Sequence, residues 1–205
     1  MSEILDLPVK EFVAKTAAKE PTPGGGSVAA LVGALAASLA SMALEYTVGK
    51  KAYAAYDAEL RGALAQFHIA AEMLQELIRE DIAAYAALSE MLKMPPEARL
   101  AHPEYAATVV AAIRAPHTAA GFAMNILTLS ASLLEKTNKF LVSDLGIAAV
   151  YAHATVHASE LNVRVNLPLL PNQEEAATLK KEMYALTVKA DGVYTAFRNE
   201  LLRRL

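Results

Sequence analysis

The sequence predicts an all-α fold: one helical bundle of five to six helices with a long central helix, spanning residues 1–205 as a single domain. Three observations carry that expectation. Alanine supplies about a fifth of the chain, and it is the strongest helix former. Aromatic residues stop at 6% with no Trp, which leaves a β-sheet little to pack with. From Asp57 to Lys93 apolar residues recur at spacings of three and four, the period of a helix with one buried face. Hydrophobic residues make up 55% against 20% charged, enough apolar surface to offset the entropy of ordering the chain and to exclude intrinsic disorder.

A first helix is expected to open at Asp6-Leu7-Pro8, with Asp6 as cap and Pro8 in the first turn, and to fray near Lys19. Phe12 and Val13 start its apolar face. Pro21-Thr22-Pro23-Gly24-Gly25-Gly26 is the strongest punctuation in the chain. Ser27 then caps a second helix that runs to about Gly49. Its uncharged stretch from Val28 to Leu44 falls just short of the ~20 apolar residues that span a bilayer. Ala30, Ala34 and Ser38, with Gly33, Ala37 and Ser41, form small-residue ridges that admit another helix backbone closely. A buried core helix is the expectation, with no membrane partner.

The third and longest helix is expected from Asp57 to about Lys93, its apolar face marked by Leu60, Leu64, Phe67, Ala71, Leu74, Ile78, Tyr85, Leu88 and Leu92. Met94-Pro95-Pro96 ends it, and a loop through His102-Pro103 leads to a fourth helix, about Glu104 to Glu135. Pro116 should kink or interrupt that helix by removing a backbone donor. Ser143 or Asp144 caps a fifth, reaching about Asn162. Pro168 and Pro171 separate it from a last helix, about Gln173 to Arg203.

Several function classes are disfavoured. Lys and Arg total 19 against 22 Asp and Glu, for a net charge of -3, whereas a nucleic-acid partner calls for clustered cations. With no Cys, disulfides, thiolate nucleophiles and Cys-ligated metals are absent. The opening Met1-Ser2-Glu3-Ile4-Leu5-Asp6 is acidic and carries no signal-peptide pattern, so a cytoplasmic location is expected.

Asp81 is the sharpest chemical candidate. Its neighbours at helical spacing are Leu74, Leu77, Ile78, Ala84, Tyr85 and Leu88, so one carboxylate sits on an apolar stripe, while Glu72, Glu76 and Glu80 share a more polar face. Desolvation should raise its pKa toward useful acid–base work, unless it is simply paired with a buried donor on another helix. The Gly24-Gly25-Gly26-Ser27 turn offers an unobstructed backbone and a positive helix end, suited to a carboxylate, a phosphate or a heterocycle edge. A flexible connection ending in an ordinary Ser cap is the plainer reading. Capping is the plainer explanation of Asp144 at a helix start, and a solvated helix C-terminus that of Lys50 and Lys51, whose functional option is to anchor an anionic ligand tail. His153 and His157 lie one turn apart, with Glu160 beyond, a spacing able to chelate a metal. Zinc-peptidase and di-iron patterns are missing, however, so ordinary packing or surface histidines and no metal are expected. Asn162 and Asn166 bracket a helix end, where capping accounts for at least one of them.

Taken together, Pro23-Gly24-Gly25-Gly26-Ser27-Val28-Ala29-Ala30, Ser41-Met42, Gly49-Lys50-Lys51, Ser143-Asp144-Leu145 and Asn162-Val163-Arg164-Val165-Asn166-Leu167 resemble the formiminotetrahydrofolate cyclodeaminase/methenyltetrahydrofolate cyclohydrolase family, in the same order over nearly the whole chain. The resemblance implies an all-α homodimer that binds a reduced folate, with or without a polyglutamate tail, in a cleft between helices. It needs no cofactor besides that folate substrate. Asp81, in Glu80-Asp81-Ile82, falls where the family's catalytic aspartate is expected. The folate-binding set it implies is Gly24, Gly25, Gly26, Ser27, Lys50, Lys51, Asp144 and Asn166: the turn for part of the folate, Asp144 for the pterin's donor edge, and the lysines for the glutamate tail. Two reactions fit, cyclodeamination of 5-formiminotetrahydrofolate and hydrolysis of 5,10-methenyltetrahydrofolate. A non-enzymatic helical interaction protein is the alternative of another class.

Overall fold

A computed structural model describes residues 4–205; Met1, Ser2 and Glu3, the first residues of the acidic opening, lie outside the described residues. Seven α-helices run through the described part: α1 Val9–Ala17, α2 Gly25–Glu45, α3 Asp57–Leu92, α4 Pro96–Leu100, α5 Tyr105–Leu133, α6 Val142–Asn166 and α7 Gln173–Leu202. Six of them match the expected set. The addition is α4, one short turn of helix where a loop was expected, started by Pro96 at its first position. At 36 residues, α3 is the longest element.

The centre is a four-helix arrangement in which α2 packs along α3 and α6, and α5 packs along α6 and α3. The last helix, α7, covers the outer side of α6 and α5. Residues Leu44, Leu60, Phe67, Leu74, Ile78, Leu127 and Leu145 are fully buried between these helices. Each such side chain contributes about 1.5–3 kcal/mol by leaving water. A second cluster under α5, α6 and α7 gathers Leu88, Val109, Ile113, Val163 and Met183.

The small-residue ridges of α2 explain how α3, α5 and α6 fit around it. Ala30, Gly33, Ala34, Ala37 and Ser41 are buried. A Cβ at Gly33 would stand 3.1 Å from Thr155 Cγ2 on α6 and 3.2 Å from Leu74 Cδ2 on α3. The helix is long and apolar enough by composition to cross a membrane, but most of it lies inside the bundle.

Local rules failed at several helix ends. Asp6 sits in a short 3-10 turn, and Pro8 is the residue before α1. That helix buries none of its residues, Val13 included. Ser27 is not a cap either: α2 begins two residues earlier, after Gly24. Likewise α6 begins at Val142, which puts Ser143 and Asp144 inside its first turn rather than before it. Pro116 does not interrupt α5, which stays continuous through it; packing on α3 and α6 holds the helix on either side of the missing donor.

Candidate active site

The turn before α2 contains a cis Thr22–Pro23 bond and leaves Gly24 extended, at φ -119 and ψ -160. Gly25, Gly26 and Ser27 then form the first turn of α2, whose N–H groups have no partners within the helix. The partner comes from α3. Ser27 Oγ donates to Asp81 Oδ2 at 2.7 Å, and the Ser27 backbone N–H is a second donor to the same carboxylate. The carboxylate is seated against Gly26 so closely that an added Cβ there would stand 2.5 Å from Asp81 Cγ. No side chain fits, which is why glycine occupies this position. Burial pushes the Asp81 carboxyl above its ordinary value, and the two bonds from Ser27 oppose that rise without cancelling it.

Asp81 opens into a cleft of about 200 Å³. One wall is the turn, from Pro21 and Thr22 through the three glycines; α3 adds Tyr85, one helical turn beyond Asp81. Ala112 of α5 and the last turns of α6, with Asn162, Val165 and Asn166, close the other side. Asn162 donates through Nδ2 to Ala158 O at 2.8 Å, and Asn166 through Nδ2 to Asn162 O at 3.1 Å. Both amide nitrogens are thus held by the helix, and the amide oxygens remain as acceptors. Asn162 Oδ1 lies toward Gly25, at 3.2 Å from where a Cβ there would be. Among the described residues lining the cleft, Asp81 is the one carboxylate, and no Lys or Arg joins it.

The structure therefore brings Gly24, Gly25, Gly26, Asp81 and Asn166 to one place, with Ser27 fully buried directly behind the carboxylate. It does not bring Lys50, Lys51 or Asp144 there. The 21 residues of α2 span roughly 30 Å and separate the exposed Lys50 and Lys51 from Gly26. Asp144 lies in the first turn of α6, whereas the cleft uses that helix's last turns. The start of α6 is tied to the end of α2: Asn138 Nδ2 donates to Tyr46 O, and its N–H to Thr47 Oγ1, both at 3.0 Å. Helices α2 and α6 are antiparallel, so Asp144 keeps company with the lysines and not with Asp81. Among the cleft residues, sequence pattern marks Asn162 only as a helix end and Tyr85 only as part of an apolar face. The four-residue spacing of Asn162 from Asn166 was the available signal.

Away from the cleft, His153 and His157 both reach Asp191 of α7, at 2.7 and 2.9 Å. Glu160, the expected third member of that group, pairs instead with Arg164. The two imidazoles hold the Asp191 carboxyl below its ordinary value.

Comparison with known proteins gives a consistent set of likenesses. The sequence pattern of the family described as Formiminotransferase-cyclodeaminase matches residues 8–185. A methenyltetrahydrofolate cyclohydrolase from Methylorubrum extorquens is 30% identical over 186 residues, covering 89% of this chain and 89% of that protein. A formimidoyltransferase-cyclodeaminase from Mus musculus is 32% identical over 168 residues, 80% of this chain and 31% of that protein, so the chain spans about a third of that relative. The crystal structure of a formiminotetrahydrofolate cyclodeaminase from Thermotoga maritima superposes with a TM-score of 0.88 at 27% identity, covering 97% of this chain and 98% of that one.

Proposed function

The chain belongs to the formiminotransferase-cyclodeaminase family, and on that premise we propose that it is a folate one-carbon enzyme that converts 5-formiminotetrahydrofolate to 5,10-methenyltetrahydrofolate and ammonia. The observation that carries this reading is the Asp81 carboxylate, raised in pKa and held by Ser27 at the edge of a cleft with no other carboxylate in its lining.

The chemistry needs one proton moved between two nitrogens. The formimino group reacts as its amidinium cation, whose terminal nitrogen carries two of ammonia's three protons; N10 attacks its carbon, and a tetrahedral carbon forms between N5 and N10. Asp81 accepts the N10 proton and delivers it to the former imino nitrogen, which leaves as ammonia; the N5–C–N10 bridge becomes the methenyl cation. A positioned acid–base group contributes about 10²–10⁴-fold, and holding N10 in attack geometry adds to it because the step is intramolecular. No oxidation state changes, and the reading assigns no cofactor besides the folate itself. The cleft, at about 200 Å³, is smaller than the ~300–1,000 Å³ typical of sites that enclose a whole drug-sized ligand. It suits the pterin and the one-carbon bridge, with Asn162 and Asn166 oxygens accepting from pterin N–H groups and the tail leaving along the surface.

That tail is anionic, and the cleft's lining holds no cation. A homodimer reconciles the two: a second copy packed with its far end against this cleft would supply Lys50 and Lys51 to the glutamate tail and Asp144 to the rim. The exposed apolar side chains Ile147, Val150, Leu161 and Val165 along α6 support such a pairing.

The cyclohydrolase reaction is the second reading. It is favoured by the Methylorubrum extorquens relative, which matches this chain over nearly its full length. Water would add to the methenyl carbon with Asp81 as base, and the ring would open to 10-formyltetrahydrofolate. Offering each substrate separately while following methenyl absorbance distinguishes the two. Absorbance that grows with ammonia from the formimino substrate supports cyclodeamination; faster decay of added methenyltetrahydrofolate with no such growth supports hydrolysis. Failure to bind either folate saturably would overturn both.

A further inference from the structure

We propose that His153, His157 and Asp191 form a binding site for a divalent transition-metal ion that clamps α6 to α7. Two imidazoles and a carboxylate suit an ion of the zinc type. The histidines lie four residues apart on α6, and Asp191 faces them from α7. His153 Nε2, His157 Nε2 and Asp191 Oδ1 form a triangle with sides of 2.7, 2.9 and 3.2 Å.

No arrangement of protons satisfies all three sides. If both Nε2 atoms carry protons, two donors of like partial charge crowd one oxygen with only 3.2 Å between them. If either is unprotonated, its lone pair faces the carboxylate. A dication at the centre uses all three lone pairs at once. Donors around a tetrahedral ion with bonds of about 2.0–2.1 Å stand about 3.3–3.4 Å apart. The imidazole pair is already near that spacing, and Asp191 needs to retreat by only about half an ångström. The His153 ring is fixed in place by stacking on Tyr194, at 4.4 Å and 17° between planes. His157 and Asp191 are 41% and 56% exposed, His153 22%, so water has access to a fourth coordination position. The site is separate from the cleft, whose lining includes none of the three residues; His157, the nearest to it, is five residues before Asn162, about 8 Å along the helix.

The test is calorimetric titration of chelator-treated protein with Zn²⁺, repeated on H153A, H157A and D191N, with H117A as a histidine control elsewhere on the surface. One ion per wild-type chain is expected, with affinity falling at least about tenfold in each of the three variants and unchanged in H117A. Zn²⁺ should also raise the melting temperature of wild type and H117A but not of the other three. No stoichiometric uptake by wild type, or uptake that survives D191N and both histidine variants, would overturn the proposal.

Discussion

The Asp81 carboxylate occupies the space a side chain on Gly26 would need, and that exclusion ties a residue on α3 to the first turn of α2. G26A should therefore evict the carboxylate from its bonds with Ser27 while leaving the helix intact, because alanine is favourable there. Turnover is expected to fall by about 10²–10⁴-fold, with a loss of stability of about 1–3 kcal/mol from the overpacking. At Gly24 the nearest contact of an added Cβ is 3.7 Å away, so G24A should keep most of its activity. Steady-state kinetics and thermal melts of the pair check this; equal losses in both variants would refute the steric argument.

The two hydrogen bonds from Ser27 lower the Asp81 pKa and partly oppose the larger rise that burial causes. Removing the serine hydroxyl in S27A leaves the backbone donor but takes away one of the two bonds that lower the pKa. The Asp81 pKa should then rise further. If Asp81 begins the cycle as a base, the acidic limb of the kcat/KM profile moves to higher pH in S27A, and activity above that limb recovers most of its wild-type value. A profile whose acidic limb stays in place would mean that Asp81 does not control it.

The helices were legible because their periodicity is a local property, and Asp81 because a single carboxylate interrupts an apolar stripe. Ser27 departs from its expected capping role for the same reason that helix starts are easy to find. A Ser after glycines looks like a cap, whereas its actual partner is 54 residues away in sequence and supplies the acceptor that lets α2 begin at Gly25. Lys50, Lys51 and Asp144 illustrate a different limit. Each sits near a helix end suited to an anion or its complement, but helix direction decides which end of the bundle that is. With α2 and α6 antiparallel, the end of one helix meets the start of the other, away from Gly26. Asn162 was read as a helix-end residue, and only the approach of Gly25 on α2 gives its oxygen a cleft to face.

Asp81 should also cost the fold stability at neutral pH. Its folded-state pKa is raised, chiefly by burial, so its contribution to stability is present below the unfolded carboxylate value of about 3.9 and is lost as pH rises through the folded value. D81N keeps an acceptor for Ser27 without the charge. It is expected to bind folate, to lose at least about tenfold in turnover, and to melt above wild type at pH 7, with the gap narrowing toward pH 3. A D81N protein that melts below wild type at pH 7, by the same margin at pH 3, would show that the carboxylate is a structural anchor.

The dimeric reading of the site is tested by the lysines. In a single chain Lys50 and Lys51 are roughly 30 Å from Gly26, too far for an electrostatic effect on a ligand there at physiological salt, where screening acts over about 8 Å. If a second copy delivers them to the glutamate tail, the K50A/K51A double variant should raise KM for a polyglutamylated folate by about two- to thirtyfold, as expected for two exposed ion pairs of roughly 0.2–1 kcal/mol each. KM for the monoglutamate should move much less, kcat should hold, and the difference should shrink as salt is added. Diluting the wild type until sedimentation shows single chains should reproduce the variant's KM, because both remove the same cations from the cleft. An unchanged KM for the long-tailed substrate at low salt would separate these lysines from folate binding altogether.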